Sequence, residues 1–288
     1  MGAVYKKELR SYFTNMTGYI AIALILMMTG IFAKVLNFNQ GYPDFEYALP
    51  TVSLILMLAV PIITMRSFAE EKHQRTDLLL YTLPLSSAQI VMGKYLAMMT
   101  VFAIPSAFML FIPLILCMYG TVNLLSAYAA ILAFFLLCGA MVAICMFMST
   151  LTESQVIAAV LGIAALVLCY AASLLAQSVP TTAIASFIAF TVLILLLAFA
   201  VYYFVRDYWI SFTFAVLAEG VMLIVYINDS TKFSGLFQKF INNISIFDKL
   251  NSFISNQLVD ITTLIYYLSI IVVFCFLTGQ TVEKKRWS

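Results

Sequence analysis

Charge is what this chain has least of: of its 288 residues, 10% are Asp, Glu, Lys or Arg, against 64% that are hydrophobic. So few polar groups cannot cover a globular surface, which excludes a soluble domain and leaves an integral membrane protein. A net charge of +2, spread along the chain, offers no patch to nucleic acid. His73 is the only histidine, so a histidine-based metal or catalytic cluster is excluded within these residues. Cys117, Cys138, Cys145, Cys169 and Cys275 show no metal or redox spacing and read as buried thiols in apolar runs. A phosphate loop of the form G-x-x-x-x-G-K-[ST] is missing too, because Gly93-Lys94 is followed by Tyr95 and lacks the earlier glycine. No cofactor is therefore expected here, and nucleotide hydrolysis is expected of another chain.

Long apolar runs are plentiful. About 18 apolar residues cross a hydrocarbon core of about 30 Å as a helix, and unbroken runs without period-two alternation select helices over a barrel. The expected fold is all-α, with about eight spans over 17–36, 49–66, 95–119, 125–149, 155–176, 184–205, 209–227 and 260–279. The first run is too long for a signal-peptide core and reads as a retained span. Pro105 and Pro113 are expected to kink the third. Residues 1–288 read as a single transmembrane domain.

Two segments are amphipathic instead. Before the first span, Tyr5, Leu9, Tyr12 and Phe13 recur at helical spacing against Lys6, Lys7, Glu8 and Arg10, describing an interfacial helix. Over 228–258, Leu236, Phe240, Ile244, Phe247, Leu250, Ile254 and Leu258 recur every three or four residues, a pattern expected of a segment lying on or dipping into the outer leaflet. Orientation follows from charge. Placing both termini and the loop 66–94 in the cytoplasm puts Lys6, Lys7, Arg10, Arg66, Lys72, Arg75, Lys94, Arg206, Lys284, Lys285 and Arg286 inside, eleven of the fifteen basic residues, as the positive-inside rule requires.

The loop 66–94 gathers Arg66, Glu70, Glu71, Lys72, His73, Arg75, Asp77 and Lys94 between two apolar runs. Adjacent helical residues point about 100° apart, so Glu70 and Glu71 do not read as paired catalytic carboxylates but as a solvated or partner-facing surface. Acids and bases on one side with Leu78, Leu79 and Leu80 on the other suit docking into a cleft on a soluble partner. Glu219, in the seventh run, costs on the order of 3 kcal/mol on insertion scales and should face protein or water. Its expected state is an uncharged carboxyl hydrogen-bonded to a neighbouring helix, with a substrate or proton contact as the functional reading.

Met65-Arg66-x-Phe68-Ala69-Glu70-Glu71-Lys72, Thr76-Asp77-Leu78-Leu79-Leu80, Leu83-Pro84-x-Ser86 and Ile90-Val-Met-Gly93-Lys94-Tyr95-Leu96-Ala97 resemble the signature of ABC-2 type transporter permeases. Lys6-Lys7-Glu8-Leu9-Arg10-Ser-Tyr-Phe13 and the C-terminal Phe247-Asp248, Phe253, Asp260, Tyr266-Tyr267-Leu268 and Glu283-Lys-Lys-Arg-Trp287 agree, and within the superfamily the chain is most similar to gliding-motility-type permeases. The resemblance implies a subunit of the cell membrane that pairs with a second copy or a paralogous permease and binds two cytosolic ABC ATPase subunits, which hold the ATP. It implies a coupling helix over about 70–84, with Glu70, Glu71, Lys72, Thr76, Leu78, Leu79 and Pro84 as coupling residues. Arg75 departs from the family's usual Gly, and spans 184–205 and 209–227 are extra to its six-helix core. The function so implied is that of an ATP-driven permease, expected to export. The alternative is a non-transporting membrane subunit doing mechanical or signalling work, as in gliding-like or peptide-resistance assemblies. A solitary secondary transporter is disfavoured by the shortage of intramembrane charge.

Overall fold

A backbone surrounded by lipid must satisfy its own hydrogen bonds, and this chain does so with helices. The computed structural model describes residues 1–42, 44–76, 86–178, 180–205, 208–228, 233–255 and 260–287. In order these form α1 (Gly2–Thr14), α2 (Thr17–Phe32, prolonged by π-helical turns over Ala33–Asn39), and α3 (Leu49–Thr64, led in by a 3₁₀ turn over Phe45–Ala48). Next come α4 (Ala69–His73), α5 (Ser87–Met109), α6 (Phe111–Leu116), α7 (Leu124–Leu151) and α8 (Gln155–Ser178). The chain continues with α9 (Ala183–Val205), α10 (Tyr208–Asn228), α11 (Leu236–Ile244), α12 (Ile246–Ser255) and α13 (Ile261–Trp287). Among the described residues there is no strand.

The protein is an all-α, multi-pass membrane protein. Thr17–Asn39, Phe45–His73, Ser87–Leu116, Leu124–Leu151, Gln155–Ala176 and Ile261–Lys284 are each helical, long and apolar enough to cross a bilayer. Helices α9 and α10 occupy the positions of the sixth and seventh expected spans, with described apolar stretches over Ala183–Leu195 and Ala215–Ile227. The third span starts at Ser87 rather than 95 because Ser86 and Gln89 form a capping box, each side chain bonded to the other's backbone N–H at 3.3 Å. Pro105 is accommodated inside α5, and the helix breaks at Leu110 instead.

The chain divides into two compact units, Met1–Leu168 with Ile246–Ser288, and Cys169–Ser245. The first is built around α7, against which α3, α5, α12 and α13 all pack. Ala127, Ala130, Ala133, Gly139, Ala140 and Ala143 are buried along it, and small residues let neighbouring backbones close in where lipid supplies no hydrophobic driving force. A Cβ at Gly139 would lie 2.7 Å from the Tyr95 hydroxyl and 3.1 Å from Ile271 Cδ1, so α5, α7 and α13 meet there because that position has no side chain. Where α3 begins, Glu46 is buried and accepts a hydrogen bond from Ser126 at 2.8 Å.

The amphipathic segment divides into two helices with different surroundings. No residue of α11 is buried, but α12 turns Ile246, Phe247, Leu250, Phe253 and Ile254 inward against α3, α7 and α13. The buried Tyr267 hydroxyl donates to the Ile246 carbonyl at 3.0 Å. An apolar stripe satisfies a protein groove as well as a leaflet, so the pattern alone does not distinguish them. In the second unit, α9 packs on α10 and α11. Phe190 meets Phe237 and Phe240 with ring centroids 5.1 and 5.7 Å apart. The thiols also divide: Cys138 and Cys145 are buried, Cys169 and Cys275 half-buried, and Cys117 exposed.

Candidate functional site

The charged loop begins where α3 ends, and its first turn is held by a helix distant in sequence. The N-cap of α4, Phe68, has no side chain to accept from the first free N–H groups, which would leave them unsatisfied. Ser149, near the end of α7, does this from outside: its hydroxyl accepts from Phe68 N at 3.3 Å and Ala69 N at 3.1 Å, and donates to the Met65 carbonyl at 3.2 Å. The Lys72 ammonium donates to the Thr150 carbonyl, and the Thr281 hydroxyl of α13 bonds that of Thr150 at 3.1 Å. At its other end α4 stops in a Schellman motif. Thr76 N bonds Glu71 O at 2.9 Å, Arg75 N bonds Lys72 O at 3.1 Å, and Arg75 sits between them at φ 55°, the left-handed conformation that glycine adopts most easily.

The inward face of α4 meets a buried ammonium. Lys94, on α5, is 1% exposed. Its Nζ donates to Glu8 Oε1 at 2.9 Å, to Glu71 Oε2 at 2.9 Å and to the Ser67 carbonyl at 2.6 Å, which uses all three of its donors. The Phe68 ring lies below it, 4.9 Å from Nζ to the centroid. Glu71 also takes Lys7 at 3.0 Å, a lysine whose side chain is 61% exposed. One cation thus ties together α1, the loop helix and α5.

Close approach makes this possible. A Cβ at Gly93 would stand 3.2 Å from Val4 Cβ, so α1 rests directly on the α5 backbone one residue before Lys94. The Tyr5 and Thr100 hydroxyls bond at 3.0 Å farther along the same seam. Tyr12 is buried at the end of α1; burial first, and then the carboxylates of Glu8, Glu71 and Glu70, push its phenol above its ordinary value, so it stays neutral beside them.

Residues 6–206 match the family model described as ABC-2 family transporter protein. The chain belongs to the ABC-2 transporter family. No curated protein and no solved structure matches it. As an ABC-2 permease it is the membrane-spanning subunit of an ABC transporter. The matched range contains the α1, α4 and α5 cluster and ends before the C-terminal stretches that share the resemblance.

On this ABC-2 chain the coupling residues expected from sequence separate into two groups. Glu71 and Lys72 turn inward, to Lys94 and to α7. Glu70 is half-exposed and accepts from Gln74 Nε2 at 3.4 Å, and the Thr76 hydroxyl donates to the Glu71 carbonyl at 3.3 Å. His73, Gln74 and Arg75 are exposed. Leu78, Leu79 and Pro84 lie outside the described residues. Of the coupling helix expected over about 70–84, the described part ends at His73, where the left-handed Arg75 stops α4. Lys94, read from sequence as one more loop charge, is the residue that organises the site. Its signal was the Ser86-x-x-Gln89 capping box, which starts α5 two turns earlier and carries Lys94 into the helix. The other single residue of interest, Glu219, belongs to the second unit, where its Oε2 accepts from the Thr191 hydroxyl of α9 at 3.5 Å and its buried Oε1 has no partner among the described residues. Asp260 caps α13, accepting from Thr262 N at 3.0 Å and from the Thr263 hydroxyl at 2.8 Å. Hydrogen bonds from Thr262 and then Thr263 hold its carboxyl below the usual carboxylate range.

Proposed function

We propose that this permease exports its substrate from a cell membrane with both termini in the cytoplasm, works beside a second permease copy or a paralogue, and receives force from cytosolic ABC ATPases through the loop between α3 and α5. The observation that carries the reading is the Lys94 ammonium shared by Glu8 and Glu71. A push on α4 reaches α1 and α5 through this ion cluster and α7 through Ser149, so a displacement at the loop moves several helices together. The exposed end of α4 at His73 to Arg75 and the leucines that follow it in sequence form the docking surface.

Docking rests on apolar contact first, since truncating a well-buried Leu typically costs about 2–5 kcal/mol and an exposed ion pair contributes about 1 kcal/mol or less. Leu79→Ala therefore lowers recovery of the ATPase with the tagged permease, and substrate-stimulated hydrolysis in the reconstituted complex, more than His73→Ala does. Replacing residues 74–84 by a Gly/Ser linker, with Glu71 and Lys72 kept, abolishes coupling while the permease still folds. Full coupling in that variant would remove the loop from the mechanism.

A further inference from the structure

Apart from the α4 cluster, α5 and α13 enclose a groove of about 310 Å³ in the first unit. Its walls are apolar, with Met92 from α5 and Val272 and Phe276 from α13, and Cys275 and Gly279 also face it. Phe276 and Val272 are 63% and 66% exposed, so this apolar surface is not covered within the chain. Polar groups occur at one end only, where Ser87, Gln280 and Glu283 line the mouth.

From Val272 to Glu283 the groove follows α13 for roughly 16 Å at about 1.5 Å per residue, close to half of a hydrocarbon core about 30 Å thick. Its length is about that of one leaflet, and its polar groups lie at one end. At the mouth the Ser87 hydroxyl donates to Glu283 Oε2 at 3.1 Å. Among the described residues no cation pairs with Glu283.

We infer that this groove binds an acyl chain of a phospholipid whose headgroup carries a primary ammonium, with that ammonium on the Glu283 carboxylate. An acyl chain is the occupant whose apolar length and single polar end match the groove. The carboxylate then selects the headgroup: it attracts an ammonium that can donate N–H and gains no hydrogen bond from a quaternary amine. Gly279 gives the lipid room, since a Cβ there would meet nothing within 4 Å.

The test uses the full chain, delipidated in detergent and titrated with phosphatidylethanolamine, phosphatidylcholine or phosphatidylglycerol of equal chain length, with bound lipid counted by native mass spectrometry. The ethanolamine lipid binds about tenfold tighter or more, the size of one charge-assisted hydrogen bond. Glu283→Gln removes that preference but keeps chain binding. Gly279→Leu, which adds a better helix former in open space, blocks the site without lowering the melting temperature. Equal affinity for the three lipids, a preference that survives Glu283→Gln, or unchanged binding in folded Gly279→Leu would each overturn the proposal. So would oxidative cross-linking of two copies through Cys275 as the sole cysteine, which would assign the groove to a second copy.

Discussion

A lysine at 1% exposure is held by three acceptors and an aromatic face, and removing it leaves Glu8 and Glu71 at 12% and 13% side-chain exposure without their shared cation. Breaking a buried pair on one side costs about 3–5 kcal/mol. Lys94→Met should therefore lower the melting temperature of the purified chain sharply, and Glu71→Gln added to it should recover part of the loss, which a double-mutant cycle measures. If Lys94→Met melts like the parent, the cluster contributes nothing to the fold. Lys7, on the same carboxylate but mostly in solvent, is worth about 1 kcal/mol or less. Arg75 bears the opposite kind of cost. An L-residue in the left-handed region loses roughly 1–2 kcal/mol, so Arg75→Gly should raise the melting temperature, or leave it unchanged where glycine's own entropy offsets the gain. Arg75→Val should lower it. The departure from the family's usual Gly was legible in sequence; the backbone angle that gives it meaning was not.

Among the elements, α7 is the one that others are fitted to, and Gly139 is its tightest point. Gly139→Leu drives a side chain into Tyr95 and Ile271, and overpacking of this kind costs about 1–3 kcal/mol. Thermal unfolding of Gly139→Leu beside Gly279→Leu checks this, the first falling and the second holding; equal melting of both would show that α5 and α13 can part at no cost. Elements differ in how readable they are. The long spans declare themselves by hydropathy, and the start of α5 by Ser86 and Gln89. The end of α4 depends on one dihedral angle, and its N-terminal cap on Ser149, a residue 80 positions away in sequence. No local pattern contains such a partner, and so Glu71 and Lys72 read as a docking face although their side chains point inward.

For the whole molecule the prediction is topological. Placing both termini and the loop 66–94 in the cytoplasm puts eleven of the fifteen basic residues inside, so single cysteines placed at Ser11 and Gln74 should resist a membrane-impermeant thiol reagent in intact cells, and one at Ser234 should react. Labelling at Gln74 would invert the orientation. The α1 cluster also bears on how the protein is made. Glu8 and Lys94 are 86 residues apart, so the amino-terminal helix leaves the ribosome well before its partner. At about 5–20 residues per second, that interval is roughly 4–17 s. Throughout it Glu8 has no buried cation to meet, and α1 must wait at the water boundary while two spans insert. The return of the first helix to Lys94 therefore follows the insertion of α2 and α3, and a nascent chain halted before residue 94 should leave α1 open to protease while one long enough to release α5 from the ribosome protects it.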